Sequence, residues 1–497
     1  MEILAGLLAV LSDPWVCIWI VAGALIGMVV GAIPGLTSAA AIAMLVPVTF
    51  YMEPLSALAF LYVIGKSGRY GGAIAAILFN TPGTAAAAAT QIDGFPLSQR
   101  GLSSKAMKVA TVSSAIGDFT GDVLLILFVG LIAKVALMLG PPELFSIYFA
   151  AFVVIGSVIG DSIPKGLASA ALGIVVAMIG LDPITSQARL TFGFFQLSGG
   201  VPLVPIIIGM FVFAEVFAQL ERRDRKVEAF QDPLRDDKTV NRLTWAEYRP
   251  CLPHVFRSSF IGAFIGMLPG LGSSIAAFIS YGEGKRRAAN ADEWGKGALE
   301  GVAAPEAANN AVSGPSMAPL LTLGIPGSTI AAILISVFHI HGFQLGPTLF
   351  LTSREIIYSL FAAGLVGIVA YGIIGFYGAA YVGRMILKIP TRILYPLIFL
   401  TSFVSAYAAR GSLFDVWIMM IAGVTGWLMR KHGFNPPAFI ISFVLARGAE
   451  EAFRQSLRLS DDGLMIFVQR PVAATFIAIG VVVILMRARR MSREAGP

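Results

Sequence analysis

The chain has 497 residues, of which 57% are hydrophobic and 13% charged, and its mean hydropathy is +0.80. A soluble domain is about 25% charged, so the composition excludes a soluble enzyme or binding module and points to a protein that crosses a bilayer many times. The formal net charge of +7 is no nucleic-acid signal, because its clusters flank apolar runs, where Lys and Arg set orientation.

From the amino terminus, Glu2 precedes an apolar stretch that lacks a basic leader, so no cleaved signal peptide is expected; the segment reads as an interfacial helix leading to Trp15. Apolar runs follow at Trp15 to Ala32, Val123 to Leu139, Phe145 to Ile159, Leu167 to Leu181 and Val201 to Ala218. Others lie at Ile356 to Val382, Ile393 to Ala409, Leu413 to Met429 and Val472 to Met486. A helix needs about 20 mostly apolar residues to span a bilayer, which gives roughly 10–12 crossings. Glu221 to Arg257 is the long polar segment between them and is basic enough to favour the cytoplasm. The expected organisation is a first transmembrane repeat over 1–220, a polar linker over 221–257 and a second repeat over 258–497. Arg487, Arg489, Arg490 and Arg493 place the carboxyl terminus in the cytoplasm.

One motif occurs twice. Gly27 to Ala43 reads GMVVGAIPGLTSAAAIA, and Gly262 to Phe278 reads GAFIGMLPGLGSSIAAF. A second pair follows in the same order, with Asn80-Thr81-Pro82-Gly83-Thr84 matching Gly324-Ile325-Pro326-Gly327-Ser328. Asp93-Gly94-Phe95 and His341-Gly342-Phe343 then close each copy. Proline removes a helix hydrogen bond and glycine loosens the backbone. Broken backbone at membrane depth survives only inside protein or beside a water-filled cavity. Four breaks, at Pro34, Pro82, Pro269 and Pro326, therefore imply a polar chamber enclosed by both repeats. Matched interruptions in two halves are the sequence mark of a secondary transporter's binding site. Ser258 to Leu268 and Leu271 to Tyr281 are each roughly half a bilayer deep. They form either a re-entrant hairpin or a helix broken at the midplane. Basic residues on both flanks (Arg257, then Lys285 to Arg287) favour the hairpin.

A helix that restarts after such a break offers free N–H groups and a positive dipole end to an anion such as a carboxylate. The candidate substrate-binding residues are Pro34, Gly35, Thr37, Ser38, Pro82, Gly83, Thr84, Pro269, Gly270, Ser273, Ser274, Pro326, Gly327 and Ser328. The helix that ends before a break exposes carbonyl oxygens to a cation. Asn80 and Thr81, with Asn309 and Asn310, are the candidate coupling-ion residues, for Na⁺ or H⁺. Lys66 lies about 16 Å of helix beyond the Glu53-Pro54 turn, which puts it and Arg69 inside the membrane as further substrate-binding candidates; the alternative is that both snorkel to an interface. Repeat alignment pairs Lys66 with Asn310 and Arg69 with Ser313. Glu306 after Pro305 reads either as a helix-start cap or as part of a site. Asp118, Asp122, Asp161 and Lys165 also interrupt apolar sequence, and Asp161 and Lys165 have the spacing of a helical ion pair. Cys17 and Cys251 form no spaced pair, and His339 and His341 would splay apart on a helix, so neither a disulfide framework nor a metal site is expected. No phosphate-binding loop, zinc-protease motif or nucleophile elbow is present.

In these segments the chain resembles the large membrane subunit of tripartite tricarboxylate transporters, the TctA family. The shared stretches are GAIPGL (Gly31 to Leu36), Tyr70 to Gly83, DGFPLSQRG (Asp93 to Gly101), GMLPGLGSS (Gly266 to Ser274), APEAANNA (Ala304 to Ala311) and PLLTLGIPGS (Pro319 to Ser328). The resemblance implies a multi-pass permease of the bacterial inner membrane that imports tricarboxylates or related carboxylates on a cation gradient. It needs no cofactor beyond the coupling ion. It also implies two partners, a small membrane subunit of about four spans and a periplasmic solute-binding protein. Ala73 stands where the family commonly has serine, and Lys66 and Arg69 where uncharged residues are expected. The expected fold is an all-α polytopic membrane protein of two inverted repeats. The rival readings are a membrane-embedded enzyme and a passive anion channel.

Overall fold

Proline, glycine and short polar side chains set where the helices begin and end. The computed structural model describes residues 2–33, 36–158, 162–182, 184–221, 241–388 and 391–494. The first half holds α1 (Glu2–Ser12), α2 (Pro14–Gly31), α3 (Ser38–Leu45), α4 (Pro54–Phe79), α5 (Ala87–Gln99), α6 (Ser103–Ala136), α7 (Pro141–Val158), α8 (Ile163–Ala177), α9 (Leu203–Ile207) and α10 (Ala214–Glu221). The second holds α11 (Trp245–Tyr248), α12 (Leu252–Met267), α13 (Gly272–Arg287), α14 (Leu299–Ala311), α15 (Met317–Leu323), α16 (Thr329–Ile340), α17 (Leu349–Thr352) and α18 (Arg354–Lys388). It ends with α19 (Thr391–Ala408), α20 (Leu413–Lys431), α21 (Pro436–Arg458), α22 (Ile466–Gln469) and α23 (Pro471–Glu494). The protein is an all-α polytopic membrane protein, with one two-residue β ladder among the described residues, Gly180–Leu181 on Ala188–Arg189. The expected linker lies mostly outside the described residues, as do Pro34, Gly35 and Asp161.

Local chemistry explains the boundaries. Asp13 caps α2 by accepting the Trp15 N–H at 2.8 Å, with Pro14 opening the helix. Thr37 caps α3 and Ser328 caps α16, each accepting an N–H three residues on at 3.2 Å. Asn80 ends α4 in the left-handed conformation at φ 53°, and Gly324 ends α15 at φ 71°.

Small residues let the helices approach closely. A Cβ on Gly31 of α2 would lie 2.1 Å from the carbonyl oxygen of Gly68 on α4. On α12, a Cβ at Gly262 would lie 2.4 Å from the carbonyl oxygen of Ala308 on α14. Gly27, Gly31, Gly262 and Gly266 of the first motif are thus helix-contact residues, as expected for membrane packing.

The two halves interlock. The long α6 of the first half packs on α12 and α14 of the second, while the long α18 of the second packs on α2 and α4 of the first. Likewise α21 packs on α7 and α8, and the segment 203–221 packs on α19 and α20. Ile208–Phe213, between α9 and α10, is a π-helical turn.

Pro14–Gly31, Ser103–Ala136, Arg354–Ile386 and Leu413–Lys431 are long and apolar enough to cross a membrane. Gly463–Gln469 and Pro471–Met486 form an apolar helix pair bent by 91°, the shape of a broken span or a re-entrant loop. Among the described residues much of the remaining apolar chain forms shorter helices. In the α12–α13 pair the two helices pack on each other across the short turn at Pro269, as in a hairpin. Each has 16 residues, about 24 Å of helix against a hydrocarbon core of about 30 Å.

Candidate functional site

Each half seats its second Pro-Gly loop on the end of its first broken helix. A Cβ on Gly83 would lie 2.2 Å from the Gly31 carbonyl oxygen, and one on Gly327 would lie 3.2 Å from that of Gly266. The helices that restart after these loops then pair across the halves. Helix α16 lies beside α3, where Ala43 and Val46 line the same small gap as Ile333 and Ser336. That register puts Thr37 and Ser38 level with Ser328 and Thr329. Helix α5 packs on α13, with Ala86 and Ala89 clustered with Ala277 and Tyr281.

Helix α4 joins these places. It is 26 residues long and buried almost throughout. Gly65, Gly68, Arg69 and Gly72 share one face, by helical spacing. Gly65 meets Ile330 and Ile42, Gly68 meets Ser38, and Gly72 meets Thr84. Arg69 therefore stands between Ser38 and Thr84. Its Nη1 donates to the main-chain oxygen of Asn309 at 3.3 Å, crossing from the first half to the second. Around this contact, several buried atoms have no partner among the described residues: Arg69 Nε, Asn309 Nδ2 and Oδ1, and Asn310 Oδ1, with Ser38 Oγ one turn away. Each such atom costs about 1–3 kcal/mol when left unpaired. Several at one crossing make it the candidate site, because buried polar groups in native proteins are nearly always paired.

A second network fills the adjoining face of α4. Lys66 is 0% exposed, as is Asp118, and Asp122 is 1% exposed. The Lys66 ammonium lies 2.6 Å from Asp118 Oδ1, and 2.8 and 3.0 Å from the two Asp122 oxygens. Tyr371 donates to Asp118 at 3.2 Å and Tyr62 to Asp122 at 3.4 Å. Every charge here is paired and hydrogen-bonded, as burial in a low dielectric demands.

Two further carboxyls are wholly buried, in contrasting surroundings. Asp93 on α5 accepts the N–H groups of Gly295 and Gly297 at 2.8 Å, that of Ala298 at 2.9 Å and the Tyr281 hydroxyl at 2.8 Å. It latches α5 to the loop that leads into α14. Glu306 sits mid-helix on α14, so the helix-start cap is overturned: α14 begins seven residues earlier, at Leu299. Its oxygens accept the hydroxyls of Thr90 at 2.5 Å and Ser114 at 2.8 Å, and Ser114 accepts the Asn310 amide at 2.9 Å.

The structure spreads the remaining sequence-predicted residues. Asn80 and Thr81 are exposed at the end of α4. Asn80 already receives two bonds from Gln91, and Thr81 donates to the Phe79 carbonyl. Thr84 accepts the Ala87 N–H at 3.2 Å. Pro82 and Pro269 are half-buried beside buried Gly83 and Gly270, while Ser273 and Ser274, half-buried, open α13. Pro326 and Gly327 are buried. Lys66 and Arg69 do not snorkel, since both are buried within α4. Lys165 donates to the His432 carbonyl at 2.7 Å. Sequence reasoning missed Thr90, Ser114, Tyr62 and Tyr371, ordinary residues that gain meaning only when helices distant in sequence meet.

The comparisons with known proteins match this architecture. The model of the tripartite tricarboxylate transporter TctA family matches residues 17–441. An Agrobacterium vitis protein described as an uncharacterized 52.8 kDa protein in the TAR-I ttuC' 3' region is 33% identical over 482 residues, covering 96% of this chain and 94% of that one. A second from the same organism, an uncharacterized protein in the TAR-II ttuC' 3' region, is 32% identical over 225 residues, covering 45% of this chain and 93% of its own. The chain thus belongs to the tripartite tricarboxylate transporter TctA family, as a non-enzymatic, multi-pass membrane component of a transporter that has other subunits.

Proposed function

We propose that this chain is the permease of an ion-coupled carboxylate importer in a bacterial inner membrane. A periplasmic binding protein delivers the substrate, and a small membrane subunit completes the complex. The two halves are inverted repeats that rock or slide around a site between them. The observation that carries this reading is the set of unpartnered buried atoms at the α4–α14 crossing, beside the Arg69 guanidinium. A guanidinium binds a carboxylate with two parallel N–H bonds. The starts of α3 and α16, capped by Thr37 and Ser328, and those of α5 and α13, near Thr84 and Ser273, add positive dipole ends. Asn309 and Asn310 supply amides for the substrate or its coupling cation, whereas Asn80 and Thr81, exposed and engaged locally, are the weaker cation candidates.

Reconstituted uptake of citrate and succinate tests the reading. A transporter accumulates one of them against its gradient when a cation gradient is imposed. Equilibration without accumulation would establish a passive channel, and a changed product would establish an enzyme.

A further inference from the structure

Five ionisable side chains are buried where α4, α6 and α14 meet: Lys66, Arg69, Asp118, Asp122 and Glu306. Two cations face three carboxyls, so full ionisation leaves one negative charge in excess. The excess is localised. Lys66 binds both aspartates and the Arg69 guanidinium acts on Asp118 through its charge, so these two cations offset the two aspartates. Glu306 has no ion-pair partner among the described residues; its hydrogen-bond partners are two hydroxyls.

The type of donor separates Glu306 from Asp93. Main-chain N–H groups can only donate, and three of them hold Asp93 Oδ1 as an acceptor, whereas both Glu306 oxygens face hydroxyls. A hydroxyl both donates and accepts. Thr90 and Ser114 can therefore donate to the ionised Glu306 or accept a hydrogen bond from it once it carries a proton. The pocket satisfies the carboxyl in either state without rearrangement of the helices. Other titratable groups leave it free for this. Tyr70 on α4 is bonded to Thr111, Tyr371 on α18 is bonded to Asp118, Tyr281 on α13 is bonded to Asp93, and His254 on α12 lies near Arg257 and Glu300.

We infer that Glu306 carries the coupling proton of this transporter. The inference rests on the ion-coupled import reading above and names its ion. The Glu306 carboxylate takes H⁺ from water on one side of the membrane and, after the protein has changed its exposure, releases H⁺ to water on the other. No electrons move. The geometry also links this proton to the substrate: Ser114 bridges Glu306 to Asn310, the neighbour of Asn309 at the Arg69 crossing. A substrate that occupies the Asn310 Oδ1 side turns the same amide whose Nδ2 holds Ser114.

Infrared spectroscopy of the purified protein in lipid reads the carboxyl directly and needs no substrate. The wild type should show the carbonyl stretch of a protonated carboxylic acid, shifted by deuterium exchange and lost as pH is raised. Glu306→Gln should lose that band, and Asp93→Asn should keep it. A band unchanged in Glu306→Gln, or its absence from the wild type across the pH range, overturns the assignment. A second measurement uses the wild type alone. In proteoliposomes at fixed pH, citrate uptake should alkalinise the outer medium and proceed without sodium. Uptake that requires sodium and moves no protons overturns the inference while leaving the transporter reading intact. Failure of all carboxylate uptake with the band still present would count against that reading instead.

Discussion

Arg69 of α4 and Asn309 of α14 meet across the two halves, with Nη1 of one 3.3 Å from the main-chain oxygen of the other. Arg69 Nε and both polar atoms of the Asn309 amide have no partner among the described residues. The function proposed for the chain depends on what completes this crossing.

Arg69→Gln should abolish carboxylate uptake. Arg69→Lys should not restore it, because an ammonium lacks the planar fork. Removing one partner of a buried charged pair costs 2–5 kcal/mol, which weakens substrate affinity by at least about thirtyfold. Asn309→Ala should impair uptake by a smaller factor. Uptake normalised to the amount of protein in the membrane checks both.

Lys66 behaves differently, because its partners are already present. Lys66→Met leaves Asp118 and Asp122 buried without a cation and should destabilise the protein by about 3–5 kcal/mol. Adding Asp118→Asn and Asp122→Asn should restore most of that loss, since an uncharged set needs no counterion. The apparent midpoint of thermal unfolding in detergent distinguishes the single variant from the triple.

The α2–α4 contact offers a control on packing. Gly31→Ala drives a methyl into the Gly68 carbonyl, which would lie 2.1 Å away, and backbone cannot yield as a side chain does. Overpacking of this kind costs about 1–3 kcal/mol or more. Gly282→Ala on α13 meets nothing within 4 Å and should be neutral. Expression level and unfolding midpoint of the two variants check the contrast.

The edge of the linker should respond to acid. Glu247 accepts the Lys105 ammonium at 2.5 Å and the Thr244 N–H at 2.9 Å, and these bonds hold its carboxyl down at about 2. Its value is depressed on folding, so its contribution is complete above the unfolded carboxylate value of about 4.3 and fades as pH falls through that value towards about 2. The pair is partly exposed, so the effect is small. Protease nicking near residue 245 should rise below about pH 4, and Glu247→Gln should make it insensitive to pH in that window.

Sequence periodicity and breakers made much of the fold legible. Asp13, Thr37, Pro54 and Ser328 announce helix starts, and the paired Pro-Gly motifs announce the interruptions. The short run of helix before Lys66 left burial and snorkelling both open, and the structure shows burial. The break at 312–316 was not anticipated, although Gly314-Pro315 carries its signal: proline removes an N–H, and Gly314 lets Asp122 approach. The partners of Lys66 and Glu306 were illegible in another sense. Asp118, Asp122, Thr90 and Ser114 lie tens to hundreds of positions away, and only the interlocking of α6 with α14 and of α18 with α4 brings such residues together. Gly27, Gly31, Gly262 and Gly266 of the first motif were seen as a signature, and each sits where its helix closely approaches the backbone of another.

Equilibrium binding of radiolabelled citrate and succinate to the purified protein in lipid, wild type against Arg69→Gln, tests the polar crossing most directly. The account requires saturable binding of at least one of these acids to the wild type and its loss in a variant that unfolds at the same temperature. Equal binding by both proteins would show that the carboxylate is held elsewhere.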